Sequence, residues 1–384
     1  MLAPALRHIT NARDRFVFAG FLVFVTAMML VEPAFAQHAG DNYARARSVY
    51  EAEAAAYWHE VGEKRRQRAE KRRRGEALVL SDYVLAQPPV YSGPPRPPGP
   101  PLPSEPRRPE MPVVADFLKY AAEEFGFVPW RPANELEFKR AYARAALDAG
   151  LTREQAVGIY SFETGGNGKY DTQAGLIGKG TRAISPALGY NQLLSTNTVG
   201  LLAEHGDMLI ALLSKKAAAL TGPPKAAMLG KIDALKKMVA FSRTVPNRWG
   251  DHDKLAKTTR GGMGIHAAVL DLDLGPWLQA RKLVTSLHFA RVRGHKAILS
   301  AAELELMNFT GDGNGIDMVS MPQALRERVP TANFFQQEGY ERNPIARRTG
   351  VVAALIADIA ARAERGKREP GAQDLDAAFV DVGG

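Results

Sequence analysis

No cysteine occurs in the 384 residues. Disulfide staples, thiolate metal sites and cysteine nucleophiles are therefore excluded by composition. Other signatures are missing too. His252, His266, His288 and His295 do not form a close-spaced pattern such as H-E-x-x-H, so zinc catalysis finds no support. Asp312, Asn314 and Asp317 cluster in "TGDGNGIDMVSMPQ", but counting from Asp312 the fifth position is Ile316 and the twelfth is Gln323. A calcium loop needs an oxygen ligand and a bidentate glutamate there. The segment reads as a glycine-rich turn, with Asp312 or Asp317 as candidates to line a cleft. "RGGMGIH" lacks the preceding strand and the Gly-Lys-Thr of a phosphate loop. Neither a metal nor a cofactor is expected.

Charge is what the chain has in excess. A net charge of +9 and a pI near 9.6 favour anionic partners, whether nucleic acid, phospholipid or an acidic cell-wall polymer. The N-terminus chooses among them. Arg7, Arg13 and Arg15 precede the apolar run "FVFAGFLVFVTAMMLV", and Pro33, Ala34 and Ala36 follow as a helix break and a small-residue cleavage pair. Residues 1–36 read as a secretory signal peptide, with an uncleaved anchor as the lesser alternative. An extracytoplasmic chain, periplasmic in a Gram-negative cell, has no intracellular nucleic acid as a partner.

Residues 37–86 follow as a basic helical arm, rich in Ala, Glu, Arg and Lys. Between Lys64 and Arg74 lie eight basic residues and one acidic, a net of +7. That segment is either a solvated face or a patch for an anionic envelope surface. Residues 87–112 carry many prolines and read as a semi-rigid polyproline spacer. From residue 113 to 366 the apolar spacing is helical. Stop and start signals recur: Gly150, and the capping pairs Thr152/Gln155 and Ser300/Glu303. The exception is a polar excursion between Tyr170 and Ser185, the one place for a small sheet. Residues 367–384 read as a flexible tail.

The stretch "IYSFETGGNGKYDTQAGLIGKGTRAISPALGYNQLL" carries the chemistry. Glu163 ends an apolar, aromatic helix. Burial against Ile159, Tyr160 and Phe162 and the negative end of the helix dipole both raise its pKa. A carboxylic acid still protonated near neutrality can protonate a leaving oxygen, the first requirement for breaking a glycosidic bond. Gly165 and Gly166 permit close approach of backbone to a ligand, Thr164 adds a hydroxyl, and Gln192 is a lone amide among leucines that needs hydrogen-bond partners.

In that order (Glu163, Thr164 and two glycines, then Ser185-Pro186, then Gly189-x-x-Gln192), the chain resembles the soluble lytic murein transglycosylase family of the lysozyme superfamily. Its motifs there are Glu-Ser-Gly-Gly and Gly-Leu-Met-Gln. A third, Tyr-Asn-x-x-Gly, is approached by "LMNFTGDGNG", where Asn308 and Gly311 fit and Met307 stands in the tyrosine's place. The resemblance implies a mostly α, lysozyme-like domain with a small β-hairpin excursion. Peptidoglycan glycan strands are the implied partner and Glu163 the single catalytic acid/base. Thr164, Gly165, Gly189, Tyr190, Gln192, Asn308 and Gly311 are the implied substrate-binding residues. Tyr190 and Asn191 depart from the second motif, and "TQAGLIGKGTR" lengthens the interval before Gln192 by roughly ten residues. Tyr160, Tyr190 and Tyr340 are the candidates to replace the missing tyrosine. Two alternatives stand beside the transglycosylase: a muramidase using Asp171, Asp207 or Asp312 to place water, and a non-catalytic peptidoglycan-binding scaffold. The number of chains in the assembly is not set by the sequence.

Overall fold

The structure, a computed structural model, describes the backbone of residues 12–98, 111–177 and 182–383, with side chains from residue 40 onward in those ranges. Contacts divide the chain into two compact units. One comprises residues up to Glu76 with Ala86–Pro106, and the other comprises Ala77–Leu85 with Arg107–Gly384.

The first unit is built on helix α1 (Ala12–Arg73). The side chains of the expected leader lie outside the described residues. The backbone runs through Pro33 as helix, without the break expected there. Among the described residues no helix is long and apolar enough to cross a membrane. The proline-rich segment is not a free spacer throughout. Tyr91 sits edge-on against Tyr43 and Tyr50, Arg47 lies over the rings of Tyr50 and Tyr91, and Tyr57 donates its hydroxyl to the Ala86 carbonyl (3.1 Å). Aromatic area recovers on α1 what the prolines cannot bury among themselves. Nor is Lys64–Arg74 a uniformly solvated face, since Arg68 is only 1% exposed.

The second unit is mostly α. Its helices are α2 (Val114–Phe125), α3 (Glu135–Asp148) and α4 (Arg153–Thr164). A two-stranded antiparallel hairpin follows, β1 (Leu176–Ile177) with β2 (Arg182–Ala183), then α5 (Ser195–Ala218) and α6 (Gly222–Ser242). The chain continues through α7 (Trp249–Thr258), α8 (Arg260–Ile265), α9 (Gly275–Val292), α10 (Ala301–Thr310) and α11 (Asp312–Val319). Short helices α12 (Gln323–Arg326), α13 (Gln337–Glu341) and α14 (Pro344–Thr349) lead to α15 (Val352–Gly366) and α16 (Pro370–Asp381). Two apolar cores result. One gathers α3, α4, α10, α11, α15 and α16, the other α2, α5, α6 and α8. Helix α9 serves both, with Leu278 in the second core and Ala280, Leu283 and Ala290 in the first.

Three expected boundaries are corrected. The arm does not extend to residue 86: Tyr83 is buried in the first core beside Phe334, and Val84 pairs through both main-chain groups with the side chain of Asn333. The tail is not flexible: α16 begins with Pro370 in its first turn and buries Ala372, Leu375, Ala378 and Phe379. The glycine-rich turn is only Gly311, because helix resumes at Asp312, where Gly315 sits so close to Met307 that no Cβ fits.

Candidate functional site

Close helix packing assembles the site. Helix α4 starts on a complete capping box: Thr152 Oγ1 accepts from the Gln155 amide (3.1 Å) and Gln155 Oε1 from the Thr152 amide (3.0 Å). Gln155 Nε2 then donates to the Leu299 carbonyl (2.7 Å), which joins this start to the start of α10. A Cβ on Gly158 would stand 2.4 Å from the Ala301 Cβ, so the glycine lets α4 and α10 cross closely. On α10, itself capped by Ser300 and Glu303, residues 301, 305 and 308 follow one another at helical spacing and share a face. The crossing that sets Ala301 against Gly158 brings Glu305 and Asn308 to Glu163.

Glu163 lies in the last turn of α4, enclosed on the protein side and open to a cleft of about 740 Å³ between the two cores. Asn308 Nδ2 donates to Glu163 Oε1 (2.9 Å). Glu305, 1% exposed, lies carboxyl to carboxyl with Glu163 and does not line the cleft. Burial is the first cause of a Glu163 pKa raised to about 7, with Glu305, Asn308 and Lys282 pulling it back. Burial and the Glu163 charge push Glu305 well above the ordinary carboxylate range. Two enclosed carboxyls in contact cannot both ionise, so the pair keeps a proton through neutrality. Asp312 completes this wall and accepts from Ser286 Oγ (2.6 Å).

The opposite wall comes from α5 and α7, tied together by Thr196 Oγ1 donating to Asp253 Oδ1 (2.7 Å). It presents Asn197, Glu204, Asn247, His252 and Trp249, the last 57% exposed at the start of α7. Burial lowers the His252 pKa, which keeps the imidazole neutral at pH 7. The sequence marks none of these residues as cleft-lining, and His252 only as a discounted zinc ligand. Among the described residues no group of three or more His, Asp or Glu is placed to hold a metal ion.

The expected site residues divide. Gln192, Asn308 and Gly311 line the cleft with Glu163, whereas Thr164, Gly165, Gly189 and Tyr190 do not. Thr164 Oγ1 is spent on the Tyr160 carbonyl (2.7 Å), and Gly165 is the left-handed cap of α4 (φ 65°). Gly166 (φ 81°) admits no ligand: a Cβ there would lie 1.9 Å from the Gly366 carbonyl oxygen, so its place is taken by the end of α15. Tyr190 is a core residue, edge-on to Phe138, Tyr142 and Tyr160, with its hydroxyl on Glu135. Asn191 faces inward, accepting from Tyr142 (3.1 Å) and donating to the Gln279 carbonyl (3.1 Å). Gln192 takes a left-handed backbone (φ 42°) and donates Nε2 to the carbonyls of Gly189 (2.7 Å) and Thr172 (3.1 Å), so its donor holds the loop.

Among the described residues no tyrosine takes the missing one's place at Glu163. Tyr160 donates to the Gly168 carbonyl (2.7 Å), Tyr190 to Glu135, and Tyr340 packs on Phe335. Met307 is fully buried. Of the water-placing candidates, Asp171 pairs with Arg131 and Asp207 with Arg243 away from the cleft; Asp312 lines it. Compared with family models, with curated proteins and with solved structures, the chain shows no significant match.

Proposed function

We propose that this is an exported, lysozyme-like lytic transglycosylase that cleaves the β-1,4 bond between N-acetylmuramic acid and N-acetylglucosamine in peptidoglycan. The observation that carries this reading is Glu163: one enclosed carboxyl, its pKa raised to about 7, at the wall of a cleft large enough for sugar rings. Two apolar cores flanking a cleft, with the acid at a helix end and a hairpin nearby, support the lysozyme-like assignment.

Glu163 gives its proton to the glycosidic oxygen as the C1–O bond breaks, and the substrate's own N-acetyl oxygen assists at C1. The resulting carboxylate then takes the proton of the C6 hydroxyl as that oxygen bonds C1, closing a 1,6-anhydro ring. One proton leaves and one returns, so a single acid/base suffices. Asp312, the remaining acid on this wall, favours a second reading in which it places a water and the outcome is hydrolysis. Mass spectrometry of the products decides: anhydro ends support the transglycosylase, and reducing ends alone assign the chain as a muramidase.

Trp249 gives the opposite wall an exposed ring suited to stacking on a sugar face. Trp249→Ala is expected to raise KM for soluble glycan chains about tenfold, the equivalent of one lost stacking contact, with kcat changed little. An unchanged KM would remove this wall from substrate binding.

A further inference from the structure

Glu305 has no assigned task, and its environment is unusual for one. Its carboxyl is enclosed, and among the described residues geometry gives neither oxygen a donor. Its neighbours are the Glu163 carboxyl and Asn308, one turn along the same face of α10, whose amide donates to Glu163 Oε1 (2.9 Å). A buried carboxyl costs stability unless it is hydrogen-bonded, so its presence here calls for a role. The helices packed on α10 bring few charges to it. Helix α4 brings Glu163, α9 brings Lys282, and α11 brings Asp312, which is engaged by Ser286. The buried residues of α15 are apolar.

We propose that Glu305 is a positioning residue, a carboxylic acid kept neutral through the reaction cycle whose O–H is donated to Glu163. While Glu163 carries its proton, this is an ordinary bond between neutral groups. Once Glu163 has released the proton it becomes O–H···O⁻, which is shorter and stronger, so the donor favours the state that follows proton transfer. Asn308 supplies the second donor. No proton passes through Glu305: its O–H stays with it, and the proton exchanged with substrate is Glu163's own.

The inference rests on reading Glu163 as the acid, but its test needs no substrate. The carboxyl carbons of glutamate are labelled with ¹³C and titrated in the wild-type protein, with Glu163→Gln and Glu305→Gln assigning the two signals. Glu305 is expected to stay protonated at pH 7 in the wild type. In Glu305→Gln an amide N–H donates in its place, and the Glu163 midpoint stays near the wild-type value. In Glu305→Leu the carboxylate has lost a donor, and the midpoint rises by about one pH unit or more. An ionised Glu305 at pH 7, or a Glu163 midpoint unmoved or lowered in Glu305→Leu, overturns the proposal. The first of these is read on the wild type and stands even where the leucine variant does not fold. In turnover, Glu305→Leu is expected to lose about 10²-fold in kcat with its alkaline limb moved to higher pH, while Glu305→Gln keeps most of its rate. A wild-type protein inactive on peptidoglycan would reject the proposed function and leave the titration result intact.

Discussion

Glu163→Gln is expected to lower peptidoglycan clearing by about 10³-fold or more while making the protein more stable above neutral pH. The first effect follows from removing the enclosed carboxyl at the cleft wall. The amide is isosteric and keeps its place beside Asn308, so substrate binding should survive the change. The second follows from linkage. The folded pKa of Glu163 is raised from 4.5 to about 7, so between these values the native state binds more protons than the unfolded chain. Stability contributed by the neutral carboxyl is therefore fully present below pH 4.5 and is lost as pH rises through about 7. By pH 8 that loss is roughly 3 kcal/mol, and the glutamine variant does not suffer it. Urea unfolding of both proteins at pH 5 and pH 8 should show a gap that opens with pH. Equal lysis by the two proteins would sink the proposed mechanism, and a gap independent of pH would sink the account of a neutral, enclosed acid.

The helices were legible because their signals are local: α4 and α10 begin at the capping pairs the sequence displays, and α3 is followed by a left-handed Gly150. Glu163 was legible for the same reason, as an acid at the end of an apolar helix. Its partner was not, since nothing local joins "FETGG" to "LELMN". The signal was present all the same. Glu305 is a charge among Leu304, Leu306 and Met307 on a capped helix, three residues before Asn308 and therefore on the same face. The expected third motif sets Met307 in the tyrosine's position, yet Met307 is a core residue and the acid that meets Glu163 stands two positions earlier. Trp249 carries no local signal, because nothing in the sequence shows that the start of α7 lines the same cleft as the end of α4. The tail was misread because Gly371 and the acids of α16 masked apolar spacing at Ala372, Leu375 and Phe379.

Gly166→Ala is expected to destabilise the fold by about 4 kcal/mol or more, and Gly165→Ala, one residue earlier, by only about 1 kcal/mol. Both glycines have positive φ, 65° and 81°, so an alanine bears the left-handed penalty at either position. Their surroundings separate them. Nothing lies within 4 Å of a Cβ on Gly165, whereas a Cβ on Gly166 meets the Gly366 carbonyl at 1.9 Å for oxygen and 2.7 Å for carbon. Those are main-chain atoms at the end of α15 and cannot rotate away. The contact is reciprocal, since a Cβ on Gly366 would stand 2.3 Å from the Ser161 carbonyl oxygen, and Asn167 Oδ1 accepts from the Gly371 amide (3.0 Å) at the start of α16. The end of the helix that carries the acid is thus held by backbone contact with the last two helices. Pushing α15 away would also shift α10, which packs on both α15 and α4, and with it the Asn308 and Glu305 donors. Activity of Gly166→Ala measured well below its melting temperature should therefore fall with stability, while Gly165→Ala keeps its rate. Equal costs at the two positions in urea unfolding would show that the pair of glycines serves the turn alone and not the seat of Glu163.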